Sequence, residues 1–243
     1  MSEVVAGSAY ELRRRLGEAI VIVLSILLAF GIEAFWDEHQ ERTEEEAALL
    51  ALEAEFSANL VQLDTVIARH EAGRELMAML AELSDAEIRA LDQAMVSEIM
   101  LATANPWTFD PVLGTTDALV GAGRLDIIQD VALREALTSF KNFVGDTEED
   151  VAAILVFAYD VWRAQIRHGG PWGDPGTEVS VNGPIPIPAF VERATPEDLL
   201  SVRSDPQLMG LVGWFHLNAG YYLSELGRVR DQIEVILELT SPG

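Results

Sequence analysis

From Leu16 to Trp36 the chain reads LGEAIVIVLSILLAFGIEAFW, apolar at almost every position, and only beyond it do the apolar residues thin into stripes. At about 1.5 Å per residue such a stretch reaches roughly 30 Å, the thickness of a bilayer's hydrocarbon core, and it predicts one membrane-spanning helix. Its fully apolar heart runs from Ala19 to Ile32, which puts Glu18 and Glu33 near the two interfaces, with Phe35 and Trp36 as aromatic anchors.

After the span, Leu49, Leu52, Phe56, Leu60, Leu63 and Ile67 recur in alternating steps of three and four, a helical stripe of near-heptad period that extends to about Leu83. Nothing between Glu38 and Leu49 breaks a helix, so the membrane helix is expected to run on into this one. Ser84-Asp85-Ala86-Glu87 is a capping box opening a second helix through about Ala102, which Asn105-Pro106 ends. A short helix from about Val112 to Ala122 stops at Gly123. Asp130 then caps a fourth helix to Val144, closed by Gly145. Asp146 with Glu149 starts a fifth, whose Ile154, Leu155, Phe157, Ala158, Val161, Trp162 and Ile166 form a broad apolar face ending at Gly169-Gly170.

Prolines 171, 175, 184, 186 and 188 break the pattern over residues 169–194. Asn182-Gly183 there allows a β-hairpin, but the alternating prolines favour an extended surface arm. Thr195-Pro196 and Asp205-Pro206 are both cap-then-proline helix starts. The last helix, to about Leu239, carries Leu208, Leu211, Phe215, Tyr222, Leu226, Val229, Ile233 and Ile236, and is the natural antiparallel partner of the 49–67 stripe. The expected fold is all-α, a single N-terminal transmembrane helix continuing into a mainly antiparallel extramembrane bundle with one Pro/Gly-rich arm.

Charge orients this picture. Arg13, Arg14 and Arg15 precede the span, whereas Asp37, Glu38, Glu41 and Glu44 to Glu46 follow it. By the positive-inside rule residues 1–15 are cytoplasmic, residues 16–36 cross the membrane, and residues 37–243 lie in the periplasm of a bacterial inner membrane. A cleaved signal peptide has the same general shape, but only Ala29-Phe30-Gly31 offers a weak cleavage site, so the uncleaved anchor is expected. The net charge of −24 comes without any basic cluster other than the Arg triplet, which argues against nucleic acid as a partner. The absence of cysteine excludes disulfides and thiolate chemistry.

Little else points to chemistry. His39, His70, His168 and His216 show no metal-ligand spacing, and His70 and His216 fall near apolar seams, as hydrogen-bonded bundle histidines would. The acidic runs Glu44 to Glu46 and Asp146, Glu148, Glu149, Asp150 lack the spacing of a calcium loop. Gly121-Ala122-Gly123 is no dinucleotide loop, and Trp162, Trp214-Phe215 and Tyr221-Tyr222 stand at helical spacing, as core residues do. An enzyme would need carboxylates such as Glu33, Asp160 and Glu225 gathered by folding, so no catalytic activity, cofactor or metal is expected. Glu18 can pair with Arg14 or Arg15 one turn back, or meet a partner subunit. Arg14, Arg15, Glu18, Glu33, Phe35 and Trp36 are therefore the candidate membrane-interface and partner contacts.

Two segments carry a resemblance. Arg14-Arg15-Leu16-Gly17-Glu18, the apolar run Val21 to Phe30 and Trp36-Asp37-Glu38 resemble the N-terminal motif of a widespread bacterial family of uncharacterised single-pass membrane proteins. Asp117 to Ile128 is similar to that family's "Y-x-x-L-x-x-S-G-x-L-x-x-I" segment, with Ala122 in place of the serine and Thr116 or Asp117 where tyrosine is common. The resemblance implies a membrane-anchored helical domain and brings no activity. The functional expectation is a non-catalytic accessory subunit of a larger membrane complex, respiratory or photosynthetic for example. Its partners would be the lipid bilayer and other membrane subunits, with self-association left open. The rival expectation is a membrane-anchored periplasmic sensing or ligand-binding module.

Overall fold

The computed structural model describes residues 2–168, 179–180, 187–188 and 194–241, with side chains described from residue 24 to 167 and from 194 to 241. Seven helices occur among them: α1 (Ser2–Glu82), α2 (Asp85–Arg89), α3 (Gln93–Ala102), α4 (Gly114–Gly121), α5 (Val131–His168), α6 (Pro196–Ser204) and α7 (Pro206–Thr240), with a 3-10 turn at Leu125–Ile127. The fold is all-helical apart from a two-residue antiparallel pairing, Val179 with Pro188 and Ser180 with Ile187. The rest of the predicted arm, 169–193, lies outside the described residues. The described antiparallel pair is that of the hairpin alternative and not of the extended surface arm that the prolines favour.

Three seams hold the bundle together. Along α7, Leu208, Val212, Phe215, Ala219, Tyr222, Leu226, Val229, Ile233, Ile236 and Thr240 are buried in unbroken steps of four and three. Along α1 the buried positions Leu52, Phe56, Asn59, Leu63, Val66, His70, Gly73, Met77 and Leu80 keep the same rhythm. On α5 it runs through Leu133, Leu137, Phe140, Val144, Thr147, Val151, Ile154, Ala158, Val161 and Gln165, all buried or half-buried. A 3.5-residue period keeps one stripe facing one partner over many turns. α7 lies antiparallel to both: Asp64 of α1 pairs with Arg230 at 2.8 Å, and Gln232 donates to the Ala136 carbonyl of α5. Phe56 and Phe140 meet edge-to-face at 5.0 Å, joining α1 to α5.

Most helix starts are those the sequence announces. Ser84 and Glu87 form the reciprocal box at α2, and Thr195 and Asp198 do the same at α6. Asp130 accepts from the Leu133 N–H, and Asp205 accepts from Gln207 and Leu208. α1 is one helix from Ser2 to Glu82, as the lack of a breaker after Glu38 predicts. Gly123 takes φ +68°, the left-handed turn that stops the short helix α4.

The structure corrects several expectations. The expected helix over 84–102 is two, because Asp92 accepts from the Met95 N–H and caps a new start. Gly145 does not end a helix, nor do Asp146 and Glu149 begin one: α5 passes through, since Val144, Thr147 and Val151 continue its seam on the inner side. The α1 seam runs through Asn59, Val66 and His70, with Leu60 and Ile67 only half-buried beside it. Trp162, Trp214 and Tyr221, expected in the core, are 38%, 56% and 59% exposed. The transmembrane expectation stands apart from these corrections: among the described residues no helix is long and apolar enough to cross a membrane. The expected span over 16–36 has its side chains described only from Leu24 onward.

Gly145 is exposed in mid-helix, and a Cβ there would meet nothing within 4 Å. Gly145→Ala should therefore raise stability by about 0.5–1 kcal/mol, the cost of an interior helical glycine, measured as the free energy of denaturant unfolding.

Candidate functional site

Two features of the described residues are more than packing. The first is the N-terminal part of α1. Leu24, Ile26, Leu27, Leu28, Phe30, Ile32, Phe35 and Trp36 are 51% to 70% exposed. At 100° per residue these side chains point in every direction round the axis, so this length of α1 has no polar face. A helix apolar all round belongs in an apolar surrounding on every side. Glu33 is also exposed here. The first contacts with the bundle come at Glu44, which pairs with Arg124 at 3.2 Å, and at Glu45, whose carboxylate accepts from the Gln129 N–H at 2.6 Å. Of the candidate contacts, Glu33, Phe35 and Trp36 thus stand clear of the bundle. Arg14, Arg15 and Glu18 belong to α1, and their side chains lie outside the described residues.

The second feature is the way residues 103–130, too short in helix to bury themselves, are strapped along α1. The Asn59 amide bonds both backbone groups of one residue, donating to the Val112 carbonyl at 2.8 Å and accepting from the Val112 N–H at 2.9 Å. Glu55 caps α4 from another helix: its carboxylate accepts from the Thr115 N–H at 2.5 Å, the Thr116 N–H at 3.1 Å and the Thr116 hydroxyl at 2.7 Å. Leu113, at the cap position itself, has no side-chain acceptor. Residues 117–128 are part of this strap.

Higher up, one histidine holds the strap and another the end of α3. His70, 3% exposed, bonds the Trp107 carbonyl through Nε2 at 2.9 Å, and His216 bonds the Ala102 carbonyl through Nε2 at 2.8 Å. A carbonyl only accepts, so Nε2 carries the proton in both rings and each Nδ1 is a bare lone pair. The Nδ1 of His216 is buried without a hydrogen-bond partner. Tyr222 stands edge-to-face with His70 at 5.6 Å, and its hydroxyl accepts from the Phe109 N–H at 2.9 Å. Between α1, α3 and the strap a cleft of about 50 Å³ opens beside these rings. Arg69, lying over Trp107 at 5.3 Å, Glu98 and Asn105 line its mouth, and it has room for a few waters.

Burial, opposed by the bond to Ala102, pushes His216 down to about 4, with His70 and Arg74 adding repulsion. Burial lowers His70 as well, against its bond to Trp107. Burial also pushes the Tyr222 hydroxyl up to about 12. The rings are neutral clamps. Their chemistry is that of fixed hydrogen-bond donors, and no group of three or more metal-ligating side chains occurs among the described residues.

Sequence reasoning singled out both histidines but missed Glu55 and Asn59. Asn59 was findable, as a polar residue at a seam position between Phe56 and Leu63. Glu55 carried no signal, because what it caps lies 60 residues away.

Two outcomes follow from the clamps. Both histidines bind protons more weakly folded than unfolded, so their contribution to stability is whole above about 6.5 and is lost as pH falls below it, for His216 down to about 4. The unfolding midpoint should drop across that window, and His216→Gln should flatten the drop when both proteins are melted at each pH. Asn59→Ala, which strands the Val112 N–H and carbonyl, should cost about 1–3 kcal/mol in denaturant unfolding. No family model, no curated protein and no solved structure matches this chain.

Proposed function

We propose that this chain is a membrane-anchored, non-catalytic accessory subunit of a larger bacterial membrane complex. α1 crosses the inner membrane once over residues 16–36 and carries the helical bundle on the periplasmic side. One observation carries the reading: the apolar sleeve at Leu24 to Trp36 is exposed on every side of a helix that continues without a joint into the bundle. An all-round apolar surface of this length is stable where lipid or neighbouring spans cover it. The arginines before it and the acids after it set the direction, and Phe35 and Trp36 mark the outer interface. A continuous helix also couples the two parts mechanically, so an anchor held among other spans fixes the position of the bundle above them.

A second reading, a periplasmic sensing module, would use the cleft beside His70 and His216, which Arg69, Glu98 and Asn105 line and which admits only a ligand of a few heavy atoms. Ligands that fit it would raise the melting temperature in a thermal-shift screen.

The accessory reading predicts that the full chain stays with the membrane pellet after alkaline carbonate extraction. The double variant Leu27→Arg, Leu28→Arg should appear in the supernatant with its helicity intact, since each arginine at the middle of a span costs about 2.5–3.5 kcal/mol. Purification in mild detergent followed by native mass spectrometry should show other membrane proteins at stoichiometric ratio. Recovery of this chain without any other protein would overturn the accessory role.

A further inference from the structure

Two histidines from different helices bond one short piece of chain. His70 of α1 bonds the Trp107 carbonyl and His216 of α7 bonds the Ala102 carbonyl, five residues apart in sequence. From Thr103 to Leu113 the chain lies outside any helix, and among the described residues only two of its own N–H groups bond backbone, Thr103 to Met100 and Trp107 to Asn105. Side chains of the long helices do the rest. The Tyr222 hydroxyl accepts from the Phe109 N–H, Asn59 bonds Val112, and Gln165 of α5 donates to the Thr103 hydroxyl at 2.7 Å. The apolar anchorage is small: Ala104 and Phe109 are the buried apolar side chains of this segment, against ten buried positions on α7 alone. A segment held mainly by polar bonds can open while the seams stay closed.

Closure leaves polar atoms unsatisfied. The Nδ1 of His216 and the Oε1 of Gln165 are buried without a hydrogen-bond partner, and both belong to side chains that grip residues 102 and 103. An unpaired buried acceptor is unfavourable, and water supplies the missing bond once the segment lifts. Protonation adds a second penalty. With Nε2 bonded to a carbonyl, an incoming proton goes to Nδ1, which in His216 has no acceptor to meet. The charges around the rings make this worse. From α1 come Arg69, over Trp107, and Arg74, whose guanidinium lies against Gly220, one turn along α7 from His216. Glu98 of α3 is the one carboxylate lining the cleft, and it is exposed to water, as is Asp110 of the strap, which accepts from the Thr108 hydroxyl. Burial, with repulsion from His70 and Arg74, accordingly holds His216 down to about 4, and burial lowers His70. With the segment lifted, both rings stand in water near the ordinary value of about 6.5.

We infer that residues 102–113 are an acid-released latch: proton uptake by His70 and His216 lifts this segment from α1 and α7 while the seams of the three long helices stay packed. Asn105 and Trp107 line the cleft, so release also opens it on the strap side. Each ring binds protons more tightly in the open state than in the closed one, so falling pH favours the open state. For His216 alone, values of 6.5 open and about 4 closed make the opening constant about thirty-fold larger at pH 5 than at pH 8. Every group involved belongs to the bundle, so the latch depends on neither the accessory nor the sensing reading.

Amide hydrogen exchange reads the opening constant even where the open state is rare. The full-length protein in detergent would be exchanged at pH 8 and at pH 5, digested and weighed, with each rate corrected for the intrinsic pH dependence of exchange. Peptides covering 103–113 should lose protection by about thirty-fold or more between the two. Peptides from the α7 seam between Leu226 and Ile236 should stay about ten times better protected than the segment at both values, with the far-ultraviolet circular dichroism unchanged. His216→Gln and His70→Gln, which keep a donor for the carbonyls but do not titrate, should each shrink the fall. Equal protection of segment and seam, protection of 103–113 that is the same at pH 8 and pH 5, or an undiminished fall in His216→Gln would each overturn the inference. The wild-type profile decides it even where a variant fails to fold.

Discussion

Everything in this fold hangs on the seam of α7. Ten residues from Leu208 to Thr240 are buried in an unbroken alternation of four and three, and α7 packs along both other long helices. A stripe of period 3.5 on a helix of period 3.6 drifts only about 20° per heptad, so a mild supercoil keeps it against its partners along its full length. That regularity explains why α5 runs straight through Gly145. The seam contacts on either side outweigh the roughly 1 kcal/mol that a helical glycine costs.

The α1 seam is less uniform, and its irregularities have a purpose. Asn59 and His70 stand at positions where α7 and α5 would accept apolar side chains, and each turns a hydrogen bond towards the strap of residues 103–130. The strap cannot satisfy its own peptide groups, so α1 and α7 do it, with Asn59, Glu55, His70, His216 and Tyr222 bonding to named backbone atoms. Each of these side chains is polar for the sake of a peptide group far away in sequence. The result is a bundle from whose one end α1 continues into an apolar sleeve.

What was legible in the sequence was local. Caps at Ser84, Asp130, Thr195 and Asp205 were readable because a cap acts within its own turn, and the antiparallel match of α1 with α7 was readable from two stripes of equal period. The break at Asp92 was missed because a strong box about two turns earlier implied a longer helix. The exposure of Trp162, Trp214 and Tyr221 was missed for a different reason. Helical spacing says that residues share a face, and an interface face has the same spacing and the same residue types as a core face. Only the structure separates Phe215 and Tyr222, which point inward, from Trp214 and Tyr221, one position earlier and pointing out. Glu55 and the strap were invisible, since tertiary capping leaves no periodic trace.

One continuous helix, α1, joins the bundle to an exposed sleeve that is apolar all round. The central claim is that lipid surrounds the sleeve. Spin labels introduced singly at each position from 24 to 36 in protein reconstituted into lipid vesicles test this directly, through their collision rates with oxygen and with a water-soluble nickel chelate. The account predicts high oxygen and low nickel accessibility at every position from 24 to 32, with nickel accessibility rising only at Phe35 and Trp36. Nickel accessibility along the whole stretch would contradict it.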